Sequence, residues 1–367
     1  MENWARRRVL RGMAVGVVAT LASTVPARPQ ADRKLGYAIL GLGSYATRQI
    51  MPQFKDCRFA RLAALVSGTP EKLRRFGDVY GVPVTHRYNY ADFDRIRDNP
   101  DIDIVYVVLP NSMHAEYSIR ASRAGKHVLC EKPMAVCVAE ARAMIAAAKA
   151  ANRKLMIGYR SQFEQHNLRA IELVRSGFVC APRLITAEHG FVAAPNQWRL
   201  DRALSGGGSL MDIGIYSLNA ARYLAGEEPV ELVATEASDR TDPRFRDVED
   251  RIDFQLRFRS GLIANCVSSY SSNHNGFRVT GADGWVGMEP ATGYAGHQLW
   301  TRRGGQSEQV KLSPPASNQF VAQLDHLAQS VLAGIPLRAS GEEGLRDMRL
   351  IEAIYRSARE RRAMALT

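Results

Sequence analysis

An α/β domain with a parallel sheet, followed by an α+β domain with a largely antiparallel open sheet, is the fold class this sequence predicts. Three observations carry it. Short apolar runs alternate with amphipathic stretches from Leu35 to about Gly158. Turn residues or polar groups end each run. After about residue 180 the texture changes to β-rich segments with few helical patterns between them.

In chain order, "YAILGLG", "RLAALVSG", "IDIVYVVLP", "KHVLCEKP" and "RKLMIGY" read as strands. "SYATRQIMPQF", "PEKLRRFGDVYG", "SMHAEYSIRASRAG" and "VAEARAMIAAAKAAN" read as the helices between them. This alternation implies a sheet covered on both faces, with ligands at the carboxyl ends of its strands. Further on, "RLITAEHGFV", "VELVATEAS", "RIDFQLRF", "LIANCVSSY" and "GFRVTG" are partly alternating strands with Gly, Asn and Ser turns. Between the first two lies "GGGSLMDIGIYSLN", residues 206–219, which reads as a helix capped by Ser209 and ended by Gly226. Asp212 and Tyr216 then sit one turn apart on one face. A Tyr–Asp hydrogen bond in the core is the structural explanation of that pair; a shared site is the functional one. Two amphipathic helices close the chain. One starts near Ser317 with Phe320, Leu324 and Val331 on its face, and the other carries Leu345, Ile351, Ile354 and Tyr355.

The 367 residues are enough for two domains, each with its own core. Hydrophobic content of 46% and charged content of 23% are those of a soluble globular protein. Part of the net charge of +12 sits at the extreme N-terminus, and elsewhere Lys and Arg are dispersed among Asp and Glu with no dense basic block. That pattern argues for a basic surface open to anionic ligands and against a nucleic-acid groove. Five cysteines, at 57, 130, 137, 180 and 266, show neither CxxC nor Cys/His ligand spacing, which argues against a disulfide framework and a zinc site. Residues 1–30 have a basic start, a mildly apolar run from Met13 to Val25 and small residues near Ala27. This is the layout of a cleaved export signal, and Arg6 and Arg7 resemble the twin-arginine type, which carries folded proteins to the periplasm. The expected boundaries are 1–30 for the signal, 34–158 for the first domain and 159–367 for the second.

Directly after the first strand, Gly41, Gly43 and Ala46 form G-x-G-x-x-A, with Ser44 and Tyr45 completing the turn into a helix. Gly41 permits the tight turn, Gly43 lets the backbone approach a pyrophosphate, and Ala46 allows close helix–strand packing. The helix N-terminus offers N–H groups to the phosphates. A Rossmann domain holding a dinucleotide follows. At the end of the second strand stand Ser67, Gly68 and Thr69, with Lys72, Arg74 and Arg75 nearby, where an NAD enzyme commonly carries Asp or Glu. A small hydroxyl with cations beside it accepts a 2′-phosphate, so NADP is favoured. Tyr90, Leu109, Pro110, Asn111 and His114 join the candidate cofactor cleft, and His114 reads equally well as a structural group at a helix start.

With "GLGSYA", "VSGTPEK", "LPNSMHAEYSIRASRAGKHVLCEKPMA", "IGYR", "NQWRL" and "GGGSLMDIGIY", the chain resembles the Gfo/Idh/MocA oxidoreductases. Within them it looks most like the glucose–fructose and aldose oxidoreductase branch. The likeness runs from about Leu35 to Tyr355. It implies NADP-dependent oxidation of an aldose at C1 to the aldonolactone, with a second sugar reduced by the same tightly bound NADP(H). It also implies a homo-oligomer formed through the C-terminal sheet. Lys132 of "EKP" and Tyr216 are implied to converge on the sugar carbon, with Asp212 beside them and Glu131 at the cofactor. Two features depart from that branch. Only about half a dozen residues separate the expected cleavage point from Leu35, in place of a long proline-rich arm, and "SQFEQHN" and "GFVAAPN" differ between "GYR" and "WRL".

A free phenol, with a pKa of about 10, is a poor base at neutral pH, and a nearby ammonium favours its phenolate. Tyr216 is therefore the expected proton acceptor and Lys132 its electrostatic partner, while Asp212 orients Lys132 or binds a sugar hydroxyl. Arg160 is expected to reach substrate or cofactor, Trp198 and Arg199 to cover the nicotinamide, and Tyr294 of "ATGY" to touch sugar. Two other functions stay open: a nucleotide-dependent glycosidase of the same family and a non-catalytic nucleotide sensor. The Lys132–Tyr216 pair speaks against the sensor.

Overall fold

The computed structural model describes residues 33–366. The expected export signal, residues 1–30, lies outside the described residues. Six strands, β1 (Leu35–Leu40), β2 (Ala60–Val66), β3 (Arg87–Tyr88), β4 (Ile104–Val107), β5 (His127–Cys130) and β6 (Leu155–Ile157), build a parallel sheet in the order 3-2-1-4-5-6. All six residues of β1 are buried, as a central strand covered on both faces requires. Helices α1 (Pro70–Val79), α2 (His114–Arg123) and α3 (Val138–Ala150) supply the cover predicted for them.

The segment after Gly43 departs from the predicted regular helix. It widens into i→i+5 turns over Ala46–Ile50 and tightens into a 3₁₀ turn over Met51–Lys55. Pro52 lacks the N–H that a continuing α-helix needs, which accounts for the break.

Beyond β6 come α4 (Gln165–Arg175), β7 (Leu184–Gly190), the short α5 (Arg202–Ser205), α6 (Ile215–Ala225), β8 (Pro229–Glu236), β9 (Arg251–Phe258), β10 (Ile263–Ser269) and β11 (His274–Thr280). Then follow β12 (Gly284–Met288), β13 (Leu299–Arg303), β14 (Gln306–Gln309), α7 (Gln319–Ala333), α8 (Gly341–Glu360) and β15 (Met364–Ala365). The nine strands of this half form one sheet, ordered 14-13-12-11-7-10-9-8-15, in which only β7 and β10 pair in parallel. Ile185, Ala187 and His189 of β7 face inward and are fully buried, while Thr186 and Glu188 point to the outer face.

The closing helices return to the first sheet. Tyr37 of β1 donates its hydroxyl to Leu324 O of α7 at 2.7 Å. Asp325 accepts from the backbone N–H groups of Arg58 and Phe59, each at 2.8 Å. Just before α8, Ala339 O accepts from Ile157 N of β6 at 2.8 Å. Among the described residues no helix is long and apolar enough to cross a membrane.

Candidate active site

The carboxyl ends of β1, β4, β5 and β6 bring the predicted residues to one edge of the parallel sheet, at the switch in its strand order. Gly41 has φ +100°, and a Cβ there would lie 2.2 Å from Val108 O, so only glycine fits. Gly43 is the reverse case. A Cβ on it would meet nothing within 4 Å, and both Gly43 and Ser44 are exposed. Ala46 is fully buried. An open glycine between a strained turn and a buried small residue fits a dinucleotide pyrophosphate. Ser67 is buried, its hydroxyl accepting from Thr69 N at 3.2 Å, and Lys72 is exposed in the first turn of α1. The Tyr90 ring packs over exposed Gly68, at 2.9 Å from where a Cβ would be.

Lys132, Asp212 and Tyr216 meet. Lys132 leaves the end of β5, and its Nζ lies 4.9 Å from the centre of the Tyr216 ring. The ammonium donates to Asp212 O and, at 3.3 Å, to Asp212 Oδ1. Asp212 Oδ2 accepts from Arg199 Nε at 2.8 Å and from the Tyr270 hydroxyl at 3.0 Å. Asp212 and Tyr216 do not bond to each other, so the core Tyr–Asp explanation of the pair fails. The carboxylate has a tyrosine partner, but it is Tyr270 from the end of β10. Burial works against the charge on Asp212, yet Lys132, Arg199 and the Tyr270 hydroxyl hold its carboxyl below the ordinary range. Burial also opposes the Lys132 ammonium, but Tyr216, Asp212 and Glu131 keep it above its usual value.

The segment carrying this pair differs from the predicted helix at its start. Leu210–Gly214 forms a π-helical turn before α6 begins, and Gly226 ends α6 at φ +73° as expected. Ser209 is not its cap: its backbone is already helical, and its hydroxyl faces Ser268 Oγ at 3.1 Å. The capping task falls to Glu249, whose carboxylate accepts from Gly208 N at 2.8 Å and Leu210 N at 3.0 Å. Tyr355 of α8 donates to the same carboxylate at 2.8 Å. Burial pushes the Glu249 carboxyl up.

Arg160, just beyond β6, is buried, and its guanidinium lies 5.1 Å from the Tyr216 ring and 5.0 Å from that of Tyr294. Tyr294 itself is half exposed and packs near Tyr45 and Phe320. Glu131 is buried and accepts from the Tyr106 hydroxyl; burial pushes its carboxyl up. Leu109 and Pro110 close the turn after β4. Asn111 donates to Ser205 O at 2.8 Å, tying that turn to the second half of the chain. His114 is a brace: its two ring nitrogens lie 2.8 Å from Pro133 O and 2.9 Å from Leu109 O. Burial pushes its pKa down to about 4, although two carbonyl partners favour a second ring proton. Trp198 stacks with Arg199, whose side chain goes to Asp212.

Three contributors had no local signal in the sequence. Tyr270, Glu249 and Gln319 reach the site from β10, from the turn before β9 and from the start of α7, and only the fold unites them. Glu164, His166 and His297 also gather, with ligand atoms within 4.8 Å of one another. Both Glu164 oxygens already accept N–H groups of the first turn of α4, at 3.0 and 2.8 Å, so the cluster is a helix cap. A groove of about 420 Å³, lined by Glu188, Arg278, Trp285 and Trp300 among others, lies on the outer face of the second sheet, opposite to Tyr216.

Residues 35–159 match the oxidoreductase family with an NAD-binding Rossmann fold, and residues 177–366 match its C-terminal alpha/beta domain. The chain belongs to this Gfo/Idh/MocA oxidoreductase family. The crystal structure of aldose-aldose oxidoreductase from Caulobacter crescentus, complexed with glycerol, is 61% identical with a TM-score of 0.89 and covers 91% of this chain and 100% of that one. D-xylose 1-dehydrogenase [NADP(+)] from Haloarcula marismortui is 32% identical over 89% of this chain and 92% of its own length. A 3-ketoreductase from Actinomadura kijaniata, solved with NADP and TDP-benzene, is 26% identical with a TM-score of 0.79, over 88% of this chain and 98% of that one.

Proposed function

We propose that this oxidoreductase is NADP-dependent, oxidises an aldose at C1 to the aldonolactone and reduces a second sugar with the same retained cofactor. The observation that carries it is the Lys132–Asp212–Tyr216 constellation at the carboxyl edge of a dinucleotide-type sheet. The aldose–aldose and NADP-dependent xylose enzymes among its relatives support the substrate class and the cofactor. Gly41, Gly43, Ala46 and Ser67 would hold the dinucleotide, which when bound accepts a hydride in one half-reaction and gives it back in the other.

The protein's own part is proton handling and orientation. As the C1–H bond breaks and the C1–O1 double bond forms, Tyr216 takes the O1 proton. Lys132 donates a hydrogen bond to that oxygen, and Asp212 fixes the Lys132 Nζ. In the second half-reaction the Tyr216 hydroxyl returns its proton to the carbonyl oxygen of the acceptor sugar, so proton and hydride both balance within one cycle.

Paired-sugar incubation of the purified protein tests this, with released nucleotide and products both identified. Lactone plus alditol and recovered NADP(H) are expected. Hydrolysed glycoside would favour the glycosidase reading, absence of product the sensor, and recovery of NAD alone would remove the Ser67 argument.

Two further parts of the reading concern the whole molecule. We place the homo-oligomer contact on the outer face of the second sheet, where Trp300 and Val233 are exposed. Trp300→Glu should then lower the mass in light scattering, and an unchanged mass refutes this face. Twin-arginine export of the folded protein to the periplasm rests on Arg6 and Arg7. Replacing both with Lys should retain an uncleaved cytoplasmic chain, and normal periplasmic recovery would exclude that route.

A further inference from the structure

Asp212 accepts from the Lys132 ammonium with two oxygens, its backbone O and, at 3.3 Å, Oδ1. The second contact holds only while the carboxylate is turned one way, and the terminal torsion of an aspartate is broad. Oδ2 is the handle that sets this turn. Two donors grip it, Arg199 Nε at 2.8 Å and the Tyr270 hydroxyl at 3.0 Å. They are not equivalent. Arg199 stands in the turn Trp198–Leu200, its side chain is 27% exposed, and its guanidinium is shared with Gln197 Oε1.

Tyr270 is fully buried just beyond β10 and fastened along its length. Its N–H is shared between Asp250 O at 3.0 Å and Asp250 Oδ1 at 3.1 Å, and its carbonyl accepts from Ala193 N at 2.9 Å. The ring meets that of Phe191 at 5.2 Å, steeply tilted. With Ala193 and Phe245 it forms a small core of its own, against which Leu200 and Ile213 pack. Those two are the chain neighbours of Arg199 and Asp212. Among the described residues the Tyr270 hydroxyl has Asp212 Oδ2 as its one partner. Burial and the Asp212 charge push that hydroxyl well above its ordinary range, so at neutral pH it remains a donor.

We infer that Tyr270 is a positioning residue for the reaction. Its hydroxyl fixes the turn of the Asp212 carboxylate, and through it the place of the Lys132 ammonium at the sugar oxygen. This rests on the reading of Lys132 and Tyr216 as the groups at that oxygen. Arg199 supplies charge to Asp212, while Tyr270 supplies the angle. An ammonium on a flexible four-carbon stem needs such steering, because a small misplacement at a reacting centre is costly in rate.

Tyr270→Phe tests this, since it keeps the ring in its core and removes only the hydroxyl. Single-turnover reduction of bound NADP at saturating aldose, per folded molecule, should slow by about 10–100-fold. The aldose concentration giving half the maximal rate should move by no more than about twofold. A double-mutant cycle shows the route. In Asp212→Ala the same substitution should change the rate by no more than about twofold, because the hydroxyl has nothing left to hold. Unfolding of the same four proteins by denaturant, which needs no turnover, should give non-additive stabilities. A Tyr270→Phe rate within about twofold of the parent, an equal loss with and without Asp212, or additive stabilities overturns the inference. Should Asp212→Ala not fold, Tyr270→Phe alone decides: a change confined to the half-saturating aldose concentration overturns it too. Tyr216→Phe is measured beside them. Near-normal turnover there removes the underlying reading and this inference together, whereas a slowed Tyr216→Phe with an unimpaired Tyr270→Phe removes this inference alone.

Discussion

Two glycine-rich turns lead into helical segments in this molecule, and their glycines have opposite purposes. In Gly41–Ala46 the middle glycine faces open space, so the missing side chain leaves room for a ligand. In the turn at 206–208 every glycine is crowded by protein. A Cβ would lie 2.7 Å from Val136 Cβ at Gly206, 2.2 Å from the Tyr355 hydroxyl at Gly207 and 2.1 Å from Glu249 O at Gly208. Gly214 is pressed against Ser268 in the same way, at 2.5 Å. The first turn admits something from outside. The second lets the segment from Ser209 to Asn219 sit flush against β9, β10 and α8, so that Asp212 and Tyr216 have one position.

The sharpest way to break this contrast is at the residue the second turn delivers. Tyr216→Phe keeps the ring between Lys132 and Arg160 and removes only the hydroxyl. Single-turnover reduction of bound NADP by an aldose should slow by roughly 10²–10⁴-fold with the nucleotide still bound. Near-normal turnover would return the segment to a purely structural role.

Next in size is the pair of glycine substitutions. Gly208→Ala drives a methyl into Glu249 O and should cost about 1–3 kcal/mol of stability, read from chemical denaturation. Gly43→Ala should change stability by no more than about 0.5 kcal/mol. It should nevertheless weaken nucleotide retention on gel filtration. Equal stability losses in the two variants would dissolve the distinction between the turns.

The smallest effect is set by pH. The Asp212 carboxyl is held below its ordinary value of 3.8, so its ionised form is favoured by folding. That contribution is complete above 3.8 and is lost as the pH falls through the lower folded-state value. The melting temperature of Asp212→Asn should therefore lie below that of the parent at neutral pH, with the gap closing in acid. A gap that stays constant across that range would show that the carboxylate charge is irrelevant to folding.

Much of the first domain was legible because its signals are local. Apolar runs, helix stops and the glycine spacing each need only a few neighbouring residues, and β3 was missed because Arg87–Tyr88 is too short to show a pattern. The strands β12, β13 and β14 were missed for a related reason. They are four or five residues long, β14 is wholly exposed, and only pairing with a neighbour makes them strands. At the site, Lys132, Asp212 and Tyr216 were readable from their motifs. Their partners were not. Ser209 satisfied the local rule for a cap, but a distant carboxylate, Glu249, supplied better acceptors, and the segment opened into wider turns. Arg199 was expected over the cofactor because it stands next to the glycine turn at 206–208, and nothing nearby in sequence revealed that Asp212 would claim it.

The return of α7 to the first sheet has a mechanical meaning. The chain leaves the parallel sheet after β6, builds the whole second sheet, and comes back to fasten itself on Tyr37, Arg58 and Phe59. Pulling α7 away from the first sheet would break this clasp and leave the buried Tyr37 hydroxyl without its acceptor.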